Sequence, residues 1–444
     1  MFKQRCFRLL LLASAIATSL SAVAYSFESA GIYYNITGDN TVEVTYSDRN
    51  NNTYSGSVSI PETVTNNGTE YSVTKIGEYA FQGSAVTSVS MPECITSIGQ
   101  YACNECGSLE TVVLPTNLDD FSGWCIFRNC RNLKNIAIPE NVTEIPNGTF
   151  INCSLSNALI LPESLEKIGD CAFYHNGTLR SVNIPAKVKK IEERAFSLCG
   201  LTGLVIPEGV HTIGSDAFYK NSLENLTLPS TVTSIGGGAF GENNNLKSII
   251  CNAATPPTLG AGAFSININP VIKVPISSIA AYRKASGWKV FTNYYGGEMI
   301  ADGITYRINE KEAMVAAVEP SLMEANIPSA VEFEGNQYPV IKINEKVFSG
   351  NTNLTVVTLP EGLVGIGVYA FYGCKNLESV TLPESLTTLG YNAFADCSSL
   401  AAITIPQGVS EIGSNAFYGC SSLTSIEIPE GVEYLYEQVF AICI

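Results

Sequence analysis

The residues through which this chain could do nucleophilic, redox or metal chemistry are 14 cysteines and 2 histidines. Cys106, Cys130, Cys153, Cys199, Cys374, Cys397, Cys420 and Cys443 all lie three residues after a position held by Phe, or once by Cys103. At the same place other segments carry Ser84, Asn176, Asn221, Asn243 and Asn351. Asparagine cannot form a disulfide, but its amide can hydrogen-bond loop backbone, and a buried thiol can do so weakly. The shared task is therefore loop closure, and free, buried thiols are expected. Successive copies would bring these Cα atoms near disulfide range, so bridges such as Cys374–Cys397 stay open as an alternative. A zinc site needs clustered C-x-x-C pairs. Cys103 and Cys106 have that spacing, yet each already fills a position of the pattern.

The remaining catalytic inventory is thin. His175 and His211 lie in no nucleophile-elbow or metal-ligand pattern and read as surface histidines. No P-loop or dinucleotide fingerprint is present, and Gly236-Gly237-Gly238 reads as a turn rather than a phosphate cradle. Glu192-Glu193 falls where the pattern expects solvated residues. No catalytic residue, metal site or cofactor is expected, and the chain reads as a non-enzyme.

What positions these residues is a repeat of about 23 residues, clearest in VTLPESLTTLGYNAFADCSSL and ITIPQGVSEIGSNAFYGCSSL. Its beat is Pro92, Pro115, Pro139, Pro162, Pro185, Pro207 and Pro229, then Pro360, Pro383, Pro406 and Pro429. A fixed period of this size implies a solenoid, which grows by adding turns. In the copy at 376–398, alternation along a strand points Leu377, Val380 and Leu382 inward and Ser379 and Thr381 outward. Pro383 ends the strand because it has no N–H to give a neighbour. Leu386 and Leu389 supply a second apolar pair. Gly390 suits a tight turn, where Gly tolerates positive φ, although Pro146 and Glu192 in the same slot show that not every turn needs it. Asn392-Ala393-Phe394 fits a short helical or 3₁₀ turn that drops Phe394 inside. Stacked turns would then align Phe81, Phe150, Phe173, Phe196, Phe218, Phe240 and Phe264, and later Phe348, Phe371, Phe394, Phe417 and Phe440. Cys103 and Phe127 hold the slot in two less regular turns.

The beat fails after Phe264. Residues 271–291 carry a strand and then a helical pattern (Ile279, Tyr282, Trp288), which reads as a cap on the last turn. GIYYNITGDNTVEVTY near residue 31 is then matched by GITYRINEKEAMVAAV near residue 303, each a β-rich segment that could cover an open end. Lys3, Arg5 and Arg8, the apolar run Leu9–Ala17 and Ala22-Val23-Ala24 make a secretory signal, with Cys6 outside any lipobox position. The expected order is a signal peptide over 1–24, a β-rich cap over 25–59, a first array over 60–266 and a terminating cap over 267–297. A second β-rich cap over 298–326 and a second array over 327–444 follow. The second array stops in register at Phe440 and Cys443 and reads as uncapped, truncation being the favoured reading.

These repeats resemble the leucine-rich repeats of the BspA-like family, also described from treponemal surface proteins. The family pattern L-x-x-V-x-I-P-x-x-V-x-x-I-G-x-x-A-F-x-x-C is met by LESVTLPESLTTLGYNAFADC, with Leu for both Ile and for the second Val. The likeness covers roughly 60–291 and 327–444. It implies a leucine-rich repeat solenoid of α/β type, mostly short parallel strands with short helical or 3₁₀ turns, in two stacked arrays with β-rich N-terminal caps. It also implies an exported, surface-associated bacterial protein, with some members acting as adhesins for host matrix proteins such as fibronectin or fibrinogen.

Composition bounds the partner. A net charge of −16 disfavours nucleic acid, and after the signal no segment is apolar enough to span a bilayer. The outward strand positions stack into one small, nearly uncharged face. Its candidate contact residues are Thr111, Asn135, Ser181, Asn183, Asn225, Thr227, Ser379 and Thr381. The expected function is protein interaction or adhesion, with a host matrix glycoprotein as the candidate partner. The alternatives are a structural or spacer array without its own ligand and, less favoured, a glycan-binding module. Nothing in the pattern specifies an oligomeric state.

Overall fold

In a computed structural model, residues 25–265, 268–441 and 443 are described. The signal-peptide reading of 1–24 falls outside them. The chain divides into two compact units, Met1–Lys247 with Pro257–Ile268, and Ser248–Pro256 with Asn269–Ile444. Each is a solenoid of short parallel strands with very little helix.

A regular turn contributes two strands. The first precedes the proline, as in Ser379–Thr381, where Val380 is buried between exposed Ser379 and Thr381. The second precedes the glycine, as in Thr388–Leu389, with Leu389 buried. Two residues suffice because each backbone pairs with the same strand one turn away. Gly365–Ile366, Thr388–Leu389, Glu411–Ile412 and Tyr434–Leu435 form one such ladder in the second unit. Glu144–Ile145, Lys167–Ile168, Lys190–Ile191, Thr212–Ile213, Ser234–Ile235 and Thr258–Leu259 form another in the first.

The Ala-Phe segment closes the third side, and it is not helical. The residues two before and two after Phe394, Asn392 and Asp396, have φ of 54° and 60°. The same left-handed pair flanks Phe196 (Arg194, Leu198) and Phe218 (Asp216, Lys220). Left-handed residues at both ends forbid a helical run and turn alternate N–H groups toward the next turn. Thus Tyr369 N–H donates to Tyr391 O at 2.8 Å, Phe371 to Ala393 O at 2.7 Å and Gly373 to Ala395 O at 2.8 Å.

The glycine after the second strand does not use positive φ. A Cβ on Gly390 would lie 2.6 Å from the backbone of Gly367 and Val368, so the slot is set by close approach of adjacent turns. Where the side chain is larger the approach loosens. The N–H at Gly390 bonds Ile366 O at 2.9 Å, but at Glu192 and Tyr436 the equivalent bond lengthens to 3.3 Å.

Inside, the phenylalanines stack nearly parallel. Phe173 and Phe196 lie 5.0 Å apart at 8°, and Phe371 and Phe394 4.9 Å apart at 3°. Cys103 and Phe127 fill the same slot and are fully buried. Three residues on, the closing side chain reaches back one turn. Cys397 Sγ donates to Phe371 O at 3.1 Å, and Cys199 to Phe173 O at 3.2 Å. Asn221 does more. Its Nδ2 donates to Phe196 O and Phe218 O (2.9 and 3.0 Å), while its Oδ1 accepts Leu201 N–H at 3.1 Å. The loop-closing role expected of this position is thus visible in its hydrogen bonds. The closing cysteines, Cys106, Cys130, Cys153, Cys199, Cys374, Cys397, Cys420 and Cys443, are thiols outside any disulfide.

Both units contain antiparallel strands that feed the parallel ladder. In the first, Ile32–Gly38 pairs with Thr41–Thr45, which runs parallel to Thr69–Ile76. In the second, Ile304–Ile308 pairs with Ala313–Val318, which runs parallel to Asn336–Ile343. The second unit also holds the helical segment expected from Ile279, Tyr282 and Trp288. The α-helix Ile279–Lys284 is followed by a 3₁₀ turn, Trp288–Val290, with all three side chains fully buried.

Phe394→Ala removes a fully buried ring with partners on both sides and should cost about 3–5 kcal/mol. A thermal melt showing no loss would overturn the stacked core. A second expectation concerns pH. Burial pushes the thiols of Cys153, Cys199, Cys374 and Cys420 up to about 12. An acid whose folded pKa lies above its unfolded value of about 8.5 contributes stability that is fully present below 8.5 and is lost as pH rises toward 12. Denaturant melts should therefore weaken between these values by about 1–2 kcal/mol per thiol at pH 10. Cys374→Asn, a donor that does not ionise, should show a smaller drop, and an equal drop would remove the thiol from the account.

Candidate functional site

All the candidate contact residues but Asn135 lie on the strand before a proline, where alternation leaves one side chain of every pair facing water; Asn135 holds the same repeat position outside any strand. Thr111, Asn135, Ser181, Asn183, Asn225, Ser379 and Thr381 are exposed and Thr227 is half-buried. Within the first unit, parallel register places Ser181 and Asn183 beside Ala158 and Ile160, and Asn225 and Thr227 beside Gly203 and Val205. In the second unit Ser379 and Thr381 stand beside Val356 and Thr358. Asn183 is already engaged, because its Oδ1 accepts Leu161 N–H at 2.7 Å and its Nδ2 lies 3.3 Å from Leu161 O. That bond makes it a stitch between turns.

Val113 and Val205 are outward positions of the sequence pattern, and Ile160 is the one that sequence reasoning missed. Ile160 is 76% exposed, flanked along the array by Val113 at 58% and Val205 at 65%. All three sit two residues before a proline, and the turns between them carry Ala137 and Asn183 there. With strands about 4.8 Å apart, the aliphatic side chains recur roughly every 10 Å along the face. The signal was present in the proline spacing. Isolated exposed aliphatics are ordinary, but a regular row on a small, uncharged face is a contact pattern.

Aromatic and basic residues gather elsewhere, at the left-handed turn. Arg49 lies 3.5 Å over the ring of Tyr79, which stacks on Tyr101 at 5.3 Å and 8°, and Trp124 beside them is 50% exposed. In the second unit Lys346 stands 5.9 Å over Tyr369 in the equivalent slot. Trp, Tyr and Arg are the residue types that anchor protein interfaces, and here the turns display them.

His175 occupies the left-handed slot after Phe173 (φ 63°), and its Nδ1 lies 2.9 Å from Asn152 Oδ1. His211 is exposed. Among the described residues no group of His, Cys, Asp and Glu is placed to hold a metal ion, and no helix is long and apolar enough to cross a membrane.

Comparison with known proteins follows the repeat. The BspA type leucine-rich repeat region matches residues 50–179, 166–279 and 329–444, in six copies. No curated protein matches. Among solved structures, a leucine-rich repeat protein of Bacteroides ovatus is 25% identical over 92% of this chain and 96% of its own, with a TM-score of 0.44. A leucine-rich cell surface protein of Faecalibacterium prausnitzii is 26% identical over 96% and 94%, with a TM-score of 0.41. The leucine-rich repeat protein of Treponema pallidum is 24% identical over 50% of this chain and 90% of its own, with a TM-score of 0.35. The matched segments span well over half of the sequence and coincide with the stacked turns, so the chain belongs to the BspA type leucine-rich repeat family.

Proposed function

We propose that this protein is an exported, surface-displayed interaction protein that binds a protein partner, in the adhesin reading a host matrix glycoprotein, through the strand face of its arrays. The observation that carries this is the row of Val113, Ile160 and Val205, exposed on a face otherwise built of small uncharged side chains. A solenoid presents such a face continuously, which suits a large partner better than a small ligand. Thr111, Asn135, Ser181, Asn225 and Thr227 frame the aliphatic row with hydroxyls and amides, and Ser379 and Thr381 repeat the arrangement in the second array. The Arg49–Tyr79–Tyr101 stack supplies anchor types at the turn. Solenoid scaffolding, with its polar residues dispersed over a repeating surface, accords with binding rather than catalysis. The leader at 1–24 would direct export.

The full exported chain should bind immobilised fibronectin or fibrinogen saturably. Ile160→Asp or Asn225→Lys should each weaken binding about tenfold or more while shifting stability by no more than about 0.5 kcal/mol. Uniform absence of binding across a panel of matrix glycoproteins would favour a spacer array instead.

A further inference from the structure

The second array differs from the first on its other sheet, the one preceding the glycine. In the first unit three outward positions of that ladder, Glu144, Lys167 and Lys190, are charged and ion-paired, and Thr212, Ser234 and Thr258 continue it. Lys167 Nζ is 2.6 Å from Glu144 Oε1, and Lys190 Nζ is 2.6 Å from Glu192 Oε2. In the second unit the same positions read Lys342, Gly365, Thr388 and Glu411, in register across adjacent strands. Two small residues separate the cation from the carboxylate by three strand spacings, about 14 Å. The ladder becomes the floor of a trough, Lys342 at one end and Glu411 at the other.

That trough is a groove of about 930 Å³, walled by Asn293 and the cap strand Tyr294–Tyr295 and by Arg307 of the antiparallel lid. Its volume is at the upper end of small-molecule sites, but its lining is polar where such sites are mostly apolar. Asn293, Lys342, Asn344 and Glu345 face it, and among the described residues none of their side chains has a hydrogen bond or ion pair within the protein. On its rim stands Tyr391, 42% exposed, its ring set edge-on against Tyr436 at 5.6 Å.

We infer that this groove binds a neutral oligosaccharide. Unengaged amides, carboxylates and an ammonium group offer donors and acceptors interleaved along an elongated floor. A chain of hydroxyls, each able to donate and accept, matches that mixture. Tyr391 offers an aromatic face to the apolar side of a sugar ring. A lipid or aromatic ligand would leave these polar groups desolvated and unpaired. A polyanion would meet Glu345 and Glu411. A peptide adding as a strand needs an open sheet edge, and this floor is a sheet face.

The test is a glycan array followed by titration calorimetry on the full chain, with short neutral oligosaccharides as probes. Wild type should bind. Tyr391→Ala and Asn344→Ala should each lower affinity about tenfold or more with the melting temperature unchanged, and Tyr391→Phe should retain most of it. Ile160→Asp should leave glycan binding intact, so failure of the strand-face reading and failure of this one are separable. Absence of oligosaccharide binding, binding indifferent to both alanine variants, or selective binding of short peptides or acidic glycans would each overturn the assignment.

Discussion

Every feature of this molecule follows from one constraint, that each turn must lie on the previous one closely enough for their backbones to bond on three sides. Two sides are short parallel strands, many of only two or three residues, and the third is the Ala-Phe turn with its N–H groups aimed across to the next turn. A strand of two residues has no stability alone, since ordering its backbone costs about 1–2 kcal/mol per residue. It persists because the same geometry is repeated above and below. The glycine slot, the two left-handed residues and the inward Phe are local requirements of this one spacing. Gly390 clears the path for the backbone of the turn before it, and Asn392 and Asp396 bend the chain so that Phe394 points in while its N–H points along the stack.

The closing position shows how strictly role and residue type can be separated. Cys397 and Asn221 have different chemistry but reach the same target, the Phe carbonyl one turn back. The thiol makes one weak bond and needs little desolvation. The amide makes three and ties neighbouring loops more firmly. Either supplies a further donor to the Phe carbonyl, which at Phe371 already accepts the Cys374 N–H at 3.1 Å, and so ties that oxygen to the next turn. This is why cysteine is abundant here without forming a disulfide framework. Reactivity would require a thiolate, and burial pushes the thiols of Cys199 and Cys374 the other way.

Much of the fold was legible because the repeat reports its own register. Proline spacing fixed the strands, and the period fixed the inward Phe ladder. What was not legible depended on contacts between turns rather than within one. Gly390 read alone suggests positive φ, and only the neighbour 2.6 Å away shows otherwise. Asn392-Ala393-Phe394 reads as helical by local composition, yet the cross-turn bonds demand left-handed backbone there. Asn183 reads as a free amide until Leu161 is placed beside it. Ile160 escaped because its strand, Asn157–Ile160, belongs to a turn whose leading residues depart from the pattern, although Pro162 marks its register.

The same constraint explains why function should be sought in departures from the repeat. Inward positions are held nearly invariant by stacking, so a ligand can be recognised only by outward side chains, and these are free to differ from turn to turn without disturbing the core. A run of identical outward residues would be a featureless surface. The first unit breaks uniformity with aliphatics on alternate turns, and the second with an unpaired Lys342 and Glu411 held apart by Gly365 and Thr388. Each departure forgoes a local gain. Val113 and Ile160 leave apolar area in water, and Lys342 forgoes the ion pair that Lys167 makes. Surface ion pairs contribute little to stability, roughly 0–1 kcal/mol, so the array loses almost nothing by opening that trough. Two faces of one scaffold can therefore diverge toward different ligands while the stacked core that carries them stays the same.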